Sequence, residues 1–458
     1  MLTVSRYSIK QVSAMVIIGV MMMMESIDTN ILNVAIPSMA SALQVTPLSL
    51  KLAVTSYLIS LSIFIPISGY LADKFGTKKI LLISIFSFGL FSMLCGMANT
   101  LLQLVLFRFL QGAAGALLVP VGRLLMLKVF PKQALVKVYM LISMPLLLGP
   151  LLAPYIGGLL VSYLSWRYIF FINVPFALLT FIAAIKYVDN YTQQTHAFNW
   201  SSFAMLAVFL ASFAFWLDMA IDMETLVQQG INLAIIFIAL LVYLKIELNS
   251  PNRIINYHLF KIRTYQLCFY GSAFTRISLG ARGFVLALYL QIALKTSPIE
   301  SGALISSMAI GYLFSRIFIN QFLKTLGFKT ILVWCNIATA IGTLLFCFIT
   351  EVNVFAYALI ILVGFFSAVI LLLLNVLCFT DVEQRDYAAA TGLNSTTQQL
   401  FVAVGVSFAA GCLYLFNQWF GLFSTVSFHV FFVLLALIGL IGHIPFMRLK
   451  PADGANLT

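Results

Sequence analysis

The chain has 458 residues, of which 62% are hydrophobic and only 9% charged, a balance that cannot cover the surface of a soluble protein of this length. The formal net charge of +12 would suit a nucleic-acid partner, but the basic residues sit in short joints between long apolar runs, so no nucleic acid is expected. The four histidines are scattered and no phosphate-binding loop is present, so neither an enzyme nor a metal site is expected; the six cysteines all lie in apolar stretches without metal-ligand spacing.

A helix needs roughly 20 apolar residues to cross the hydrocarbon core, and the runs here are too long and too uniform for alternating barrel strands. The first run, from Val12 to Met24, continues through Ser26-Ile27-Asp28 to Pro37 without a small-residue cleavage site, and is expected to stay as a first span. The predicted spans are 12–36, 48–71, 79–98, 101–127, 134–163, 166–187, 199–217, 228–246, 264–294, 299–323, 330–350, 354–379, 388–415 and 423–447. Fourteen spans put both termini on one side. With that side cytoplasmic, the joints hold Arg6, Lys10, Lys74, Lys78, Lys79, Lys128, Lys132, Lys137, Lys186, Lys245, Arg253, Lys261, Arg263, Lys324, Lys329, Arg385, Arg448 and Lys450. The opposite side holds only Lys51, Arg167 and Lys295, so the positive-inside bias supports both the count and the orientation.

Five arginines fall inside predicted spans, as do Glu25 and Asp28, and a charge at mid-bilayer costs at least about 2.5 kcal/mol, which makes each a candidate site. Glu25 and Asp28 are three apart on one face of the first span, too close for both to ionise readily. Arg108 in the fourth span is the simplest partner for either, with Gln111 on the same face. Arg123 and Arg316 lie near the cytoplasmic face, where they can snorkel. Arg276 and Arg282 lie deeper in the ninth span, where few acidic residues remain to neutralise them. They point to a cavity of positive character that suits an anionic or zwitterionic group, with Asn375, Asn394, Thr397 and Gln398 as candidate hydrogen-bonding groups or as helix–helix contacts. Asp218, Asp222 and Glu224 read as a solvated turn.

The chain also repeats itself. Gly76, Lys78, Ile80 and Leu81, after the second span, align with Gly327, Lys329, Ile331 and Leu332 after the tenth, while Asp73 aligns with Lys324. Two related halves, 1–190 and 256–458, each with six spans, are expected on either side of an inserted two-helix hairpin in 191–255.

The joint from Gly69 to Lys79, with Asp73, Gly76 and Lys78, resembles the signature between spans two and three of the major facilitator superfamily. Its glycines should permit close backbone approach, and Asp73 should cap a helix or meet an arginine. Asp28 through Pro37, Arg108-Phe-Leu-Gln111-Gly112, Trp166-Arg167 through Asn173-Val-Pro175, and Glu247 through Pro251 to Lys261 resemble segments of its fourteen-span drug:proton antiporters. In the fifth span Gly149, Ala153 and Gly157 form one small-residue face beside Pro150, Pro154 and Gly158, which resembles the antiporter motif; Pro150 and Pro154 should each bend the helix. The family's usual Gly-Pro is Ala153-Pro154 here, and its frequent Arg-Gln pair in span thirteen is Gln398-Gln399. The resemblance implies an all-α membrane protein of the major facilitator fold in a bacterial inner membrane. It implies a proton-coupled antiporter of the multidrug efflux type, with Asp28 and Arg108 in coupling and Glu25 beside them. Gln111, Arg276, Arg282, Asn375 and Gln398 would then face an amphipathic substrate. No cofactor beyond the proton gradient is implied. The transport unit would be a monomer in the lipid bilayer, with a periplasmic adaptor and outer-membrane channel as in some relatives. The alternative is a dedicated exporter of one anionic or zwitterionic metabolite, such as a siderophore-like molecule.

Overall fold

A computed structural model describes residues 8–131, 138–139, 141–142, 144–193, 197–219, 226–250, 253–383, 386–450 and 453. Arg6, Lys132, Lys137, Asp222, Glu224, Pro251 and Arg385, used above for orientation or motif, lie outside the described residues. The architecture is all helical. The chain runs through α1 (Ile9–Leu43), α2 (Lys51–Phe75), α3 (Thr77–Met97), α4 (Leu101–Val129), α5 (Leu148–Tyr163), α6 (Tyr168–Phe171), α7 (Asn173–Tyr187), α8 (Trp200–Met219) and α9 (Leu226–Asn249). It continues through α10 (Arg263–Leu288), α11 (Pro298–Ser306), α12 (Met308–Leu345), α13 (Val354–Leu377), α14 (Tyr387–Phe420), α15 (Thr425–Ile441) and α16 (His443–Met447).

Among the described residues, 12 helical stretches are long and apolar enough to cross a membrane. Two further apolar helices, α5 and the described part of α8, are shorter than that. The predicted fifth span does not begin as a plain helix: a 3-10 turn, Pro145–Leu147, precedes α5. Pro150 therefore stands in the first turn of α5, where a missing N–H breaks no helical bond. Of the two prolines expected to bend this helix, only Pro154 is in its interior.

The repeat survives in the backbone. Gly76 and Gly327 both adopt positive φ, 100° and 72°, the left-handed region that a side chain disfavours. A second pair of joints, at the same interval along the chain, shares a geometry the sequence reading overlooked. Gln44 (φ 55°) ends α1, and Thr46 then caps the turn that begins at Pro47. Lys295 (φ 54°) follows α10, and Ser297 caps α11 at Pro298. Each hydroxyl accepts the backbone N–H three residues on at 3.2 Å.

Packing groups α1 with α4, α5 and α7, and α3 with α4 and α7. In the C-terminal half α10 packs on α14 and α15, and α12 on α13 and α15. The halves meet through α5 on α11 and through α2 on α14. Pro154 and Gly158 of α5 lie so close to α11 that a Cβ on Gly158 would overlap the Pro298 carbonyl, and one on Gly302 the Pro154 carbonyl. The Tyr155 N–H donates to Ser306 Oγ at 3.0 Å across the same seam. Helices α8 and α9 pack on each other, and α9 leaves Ile231, Leu233, Phe237, Ile238 and Leu241 exposed, a face suited to lipid. The buried Glu247 carboxylate at the end of α9 accepts from Ser202 of α8 and, at 2.7 Å, from the Ile255 N–H, tying this pair to the segment leading into α10. Arg167 donates to the carbonyls of Gly96 and Ala98, satisfying the end of α3.

Candidate functional site

Asp28 faces inward from α1, and only 1% of its side chain is exposed. Arg108 and Gln111 are one turn apart on α4, so both reach it. Arg108 Nη1 donates to Asp28 Oδ2 at 2.6 Å and to Gln111 Oε1 at 2.9 Å. Gln111 Nε2 donates to Asp28 Oδ1 at 2.8 Å. Asn173, the first residue of α7, donates to the same oxygen at 3.1 Å and to Ser92 Oγ of α3. Arg108 Nε reaches the Ala53 carbonyl of α2, and the guanidinium lies 4.1 Å from the centre of the Tyr57 ring. Five helices thus converge on one buried ion pair whose remaining lone pairs and N–H groups are largely used. A pair this buried is retained only with such support, because desolvation opposes it.

Glu25 stands one turn before Asp28, and its carboxylate makes no hydrogen bond or ion pair among the described residues. It lies within electrostatic reach of Asp28 and of Arg123. Arg123 does not simply snorkel: its Nε is buried without a partner among the described residues, and its guanidinium lies 6.0 Å from the Tyr139 ring centre. Arg316 is exposed.

The predicted substrate contacts do not gather in one place. Gln111 belongs to the Asp28 network. Arg282, on α10, turns into a small cavity inside the C-terminal half, between α10, α12, α13 and α15, where Nη2 donates to Ser367 Oγ at 2.9 Å. Arg276 has a buried Nε without a partner among the described residues, and Tyr312 of α12 lies within electrostatic reach of both arginines. Asn375 and Gln398 hydrogen-bond each other at 3.0 Å between α13 and α14.

The motif glycines and prolines separate by role. Gly149 is pressed on Ser26 of α1, and Gly157 on Ile31; Ala153 is fully buried. A methyl group is therefore accommodated where the resembled motif has glycine. Gly76 abuts the Asn190 carboxamide, and Lys78 fastens the same segment through the Asn190 side chain and the Ile185 carbonyl. Gly69 corrects the expectation of close approach: it is exposed within α2, with nothing near its missing Cβ. Asp73 likewise neither caps a helix nor meets an arginine among the described residues; its Oδ1 is buried without a partner. Asn173 was read only as part of the Trp166–Pro175 segment, and Ser92 and Tyr57 were not singled out from the sequence. A polar residue opening an otherwise apolar helix, as in Asn173-Val-Pro175, was the available signal.

Stacked apolar helices in two related halves, with charge buried inside each, define a polytopic membrane transporter. The chain belongs to the Major Facilitator Superfamily, whose model matches residues 18–246 and 268–457. Its relatives include proteins named "Putative multidrug resistance protein MdtD". That of Citrobacter koseri is 34% identical over 405 residues, covering 86% of this chain and 84% of the relative. That of Escherichia coli (strain SE11) is 34% identical over 400 residues, with the same coverage of 86% and 84%. Among solved structures, the peptide transporter POT superposes with a TM-score of 0.71 at 15% identity, covering 96% of this chain and 95% of that one. The nucleoside transporter NupG gives 0.68 at 13% identity, covering 95% and 99%. At that identity they show the shared fold alone.

Proposed function

We propose that this transporter is a proton-coupled antiporter that exports amphipathic small molecules across a bacterial inner membrane by alternating access. The observation that carries the reading is the buried Asp28–Arg108–Gln111–Asn173 network, with Glu25 unbonded one turn away. A carboxylate that can exchange a proton beside a fixed ion pair is what coupling requires. Protonation that disfavours the pair biases the packing of α1 on α4, and substrate loading acts on the same equilibrium in the opposite sense. The relatives' name, multidrug resistance protein, supports export as the direction. Helices α5 and α8 complete the twelve longer stretches to fourteen spans, with α8 and α9 as the inserted hairpin between halves 1–190 and 256–458 and both termini cytoplasmic. The proton gradient is the only energy source in this reading, and the transport unit is a monomer, with a periplasmic adaptor and outer-membrane channel as candidate partners.

The test is proton release from proteoliposomes under an imposed pH gradient, with cationic, zwitterionic and anionic amphiphiles offered in turn. Cations should trigger release in the wild type and not in Asp28→Asn, with Glu25→Gln slowed at unchanged thermal stability. Flux that persists in both variants excludes coupling through these carboxylates. Arg276, whose buried Nε has no partner among the described residues, favours a second reading, a dedicated exporter of one anionic or zwitterionic metabolite. Release triggered only by anionic or zwitterionic compounds, and lost in Arg276→Gln, selects that reading.

A further inference from the structure

The cavity around Arg282 lies within the C-terminal half, walled by four helices of that half alone. Arg282 is 98% buried, since only 2% of the residue is exposed, and no carboxylate lines the cavity. The acidic residues of the C-terminal half are Glu300, Glu351, Asp381, Glu383, Asp386 and Asp453, and none falls within a predicted span at this depth. Glu300 is engaged by Ser297, Asp381 by Thr264, Asp386 by Asn256, and Asp453 by Arg263. Among the described residues, no carboxylate pairs with the Arg282 guanidinium. Its one hydrogen bond among the described residues is to Ser367, a neutral group.

The rest of the lining supplies donors. The Ser367 hydroxyl accepts from Arg282 and keeps its own proton to give. Ser278 also faces the cavity, with no hydrogen bond among the described residues. Asn336 uses one amide hydrogen on the Gly439 carbonyl at 2.9 Å, leaving the second. The Thr275 and Thr343 hydroxyls are already committed to the carbonyls of Gly271 and Thr339. A cation with three neutral donors around a confined space, closed on the other side by leucine and isoleucine, fits a small, weakly hydrated anion. An organic carboxylate or a phosphate needs more room and more donors than this.

We propose that Arg282, with Ser278, Asn336 and Ser367, binds a small monovalent inorganic anion, chloride by abundance, as a structural counter-charge that holds α10 to α12, α13 and α15. The site is separate from the Asp28 network and is read without transport, so the outcome does not depend on what the carrier exports.

The experiment follows the thermal midpoint of the full-length protein in nanodiscs, with chloride replaced stepwise by gluconate at constant ionic strength, and bromide as a second probe. The wild type should gain a few degrees with chloride, the gain following the saturation of a single site. Bromide should substitute, and its anomalous signal should appear beside the Arg282 guanidinium. Arg282→Met should lose the chloride dependence. Ser367→Asp, which supplies a carboxylate in place, should lose it too, with a midpoint in gluconate as high as that of the wild type in chloride. Equal wild-type midpoints in chloride and gluconate overturn the proposal. So does a full chloride response in either variant, which would place the effect elsewhere. Should both variants fail to fold, the wild-type titration and the position of the bromide signal decide.

Discussion

Helices α1 and α10 open the two halves and end in the same turn, yet they treat charge in opposite ways. Glu25 of α1 and Arg276 of α10 stand at the interval that relates Gly76 to Gly327, so the repeat puts a carboxylate in one half where the other has a guanidinium. Beyond that position the N-terminal half neutralises itself: Asp28 meets Arg108, and Arg123 lies within reach of Glu25. In the C-terminal half, Arg276 and Arg282 have no acid beside them among the described residues. One half thus carries its own counter-charges; the other, on the proposals made above, takes them from outside the chain, as an inorganic ion or the substrate. The largest effects should expose this difference. Arg108→Met strands a buried Asp28 and should cost about 3–5 kcal/mol, read as a collapse of thermal midpoint and folded yield. Arg282→Met, at equal burial, removes a charge without stranding another, and in chloride-free buffer should cost less than about 1 kcal/mol or raise the midpoint. Equal losses in the two variants would break the comparison.

At the seam the halves should behave alike. Gly158 meets the Pro298 carbonyl from one side and Gly302 meets the Pro154 carbonyl from the other. A valine at either position overpacks the contact by roughly 1–3 kcal/mol. If that strain falls on the closed seam alone, it shifts the conformational equilibrium about fivefold or more away from it. Gly158→Val and Gly302→Val should each slow transport by about that factor with folded yield preserved, and should each raise maleimide labelling of Ser301→Cys. A valine that alters neither labelling nor flux would remove α5 and α11 from the closure.

Much of this was legible beforehand for a physical reason: apolar length and the placement of basic joints are set by the bilayer, and both are written in composition. The Asp28–Arg108 pair was legible because a lone buried charge is so costly that its partner must be near. Asn173 and Ser92 escaped because a neutral polar residue in an apolar helix has several equally good explanations, and only the fold says which neighbour it meets. The direction of Arg282 escaped for a related reason. Sequence placed it deep in a span, but whether it faces between the halves or into its own half depends on the rotation of α10, which polar residues spread along the helix, among them Gln266, Ser272, Thr275 and Ser278, do not single out. The joints were half legible: Gly76 and Gly327 announced themselves as glycines, while Gln44 and Lys295 take a positive φ that their residue types do not advertise.

The two signature glycines of the repeat allow a finer comparison. Alanine at either Gly76 or Gly327 forces a left-handed residue at about 1–2 kcal/mol. Gly327 has open space where the methyl would go, whereas at Gly76 it would strike Asn190, whose side chain also accepts from the Lys78 N–H. Gly76→Ala should therefore lower the thermal midpoint more than Gly327→Ala, and should also loosen the 185–193 segment, seen as faster amide exchange there. The same exchange in both variants would mean that the conformational cost alone matters.

The smallest effect concerns Gly69, which sits in the same signature and aligns with Asn320 in the second half. It lies inside α2 at ordinary helical geometry, exposed, with nothing near its missing Cβ. Neither turn nor contact requires glycine there, so the usual cost of glycine within a helix applies. Gly69→Ala should stabilise the protein by about 0.5–1 kcal/mol and leave proton-coupled flux unchanged. That outcome would confine the need for glycine in this joint to Gly76, the one of the two with a left-handed backbone. A loss of flux at unchanged stability would instead show that α2 approaches another helix at Gly69 in a different state of the cycle. The seam between α2 and α14, which also joins the halves, would then be the place to look for it.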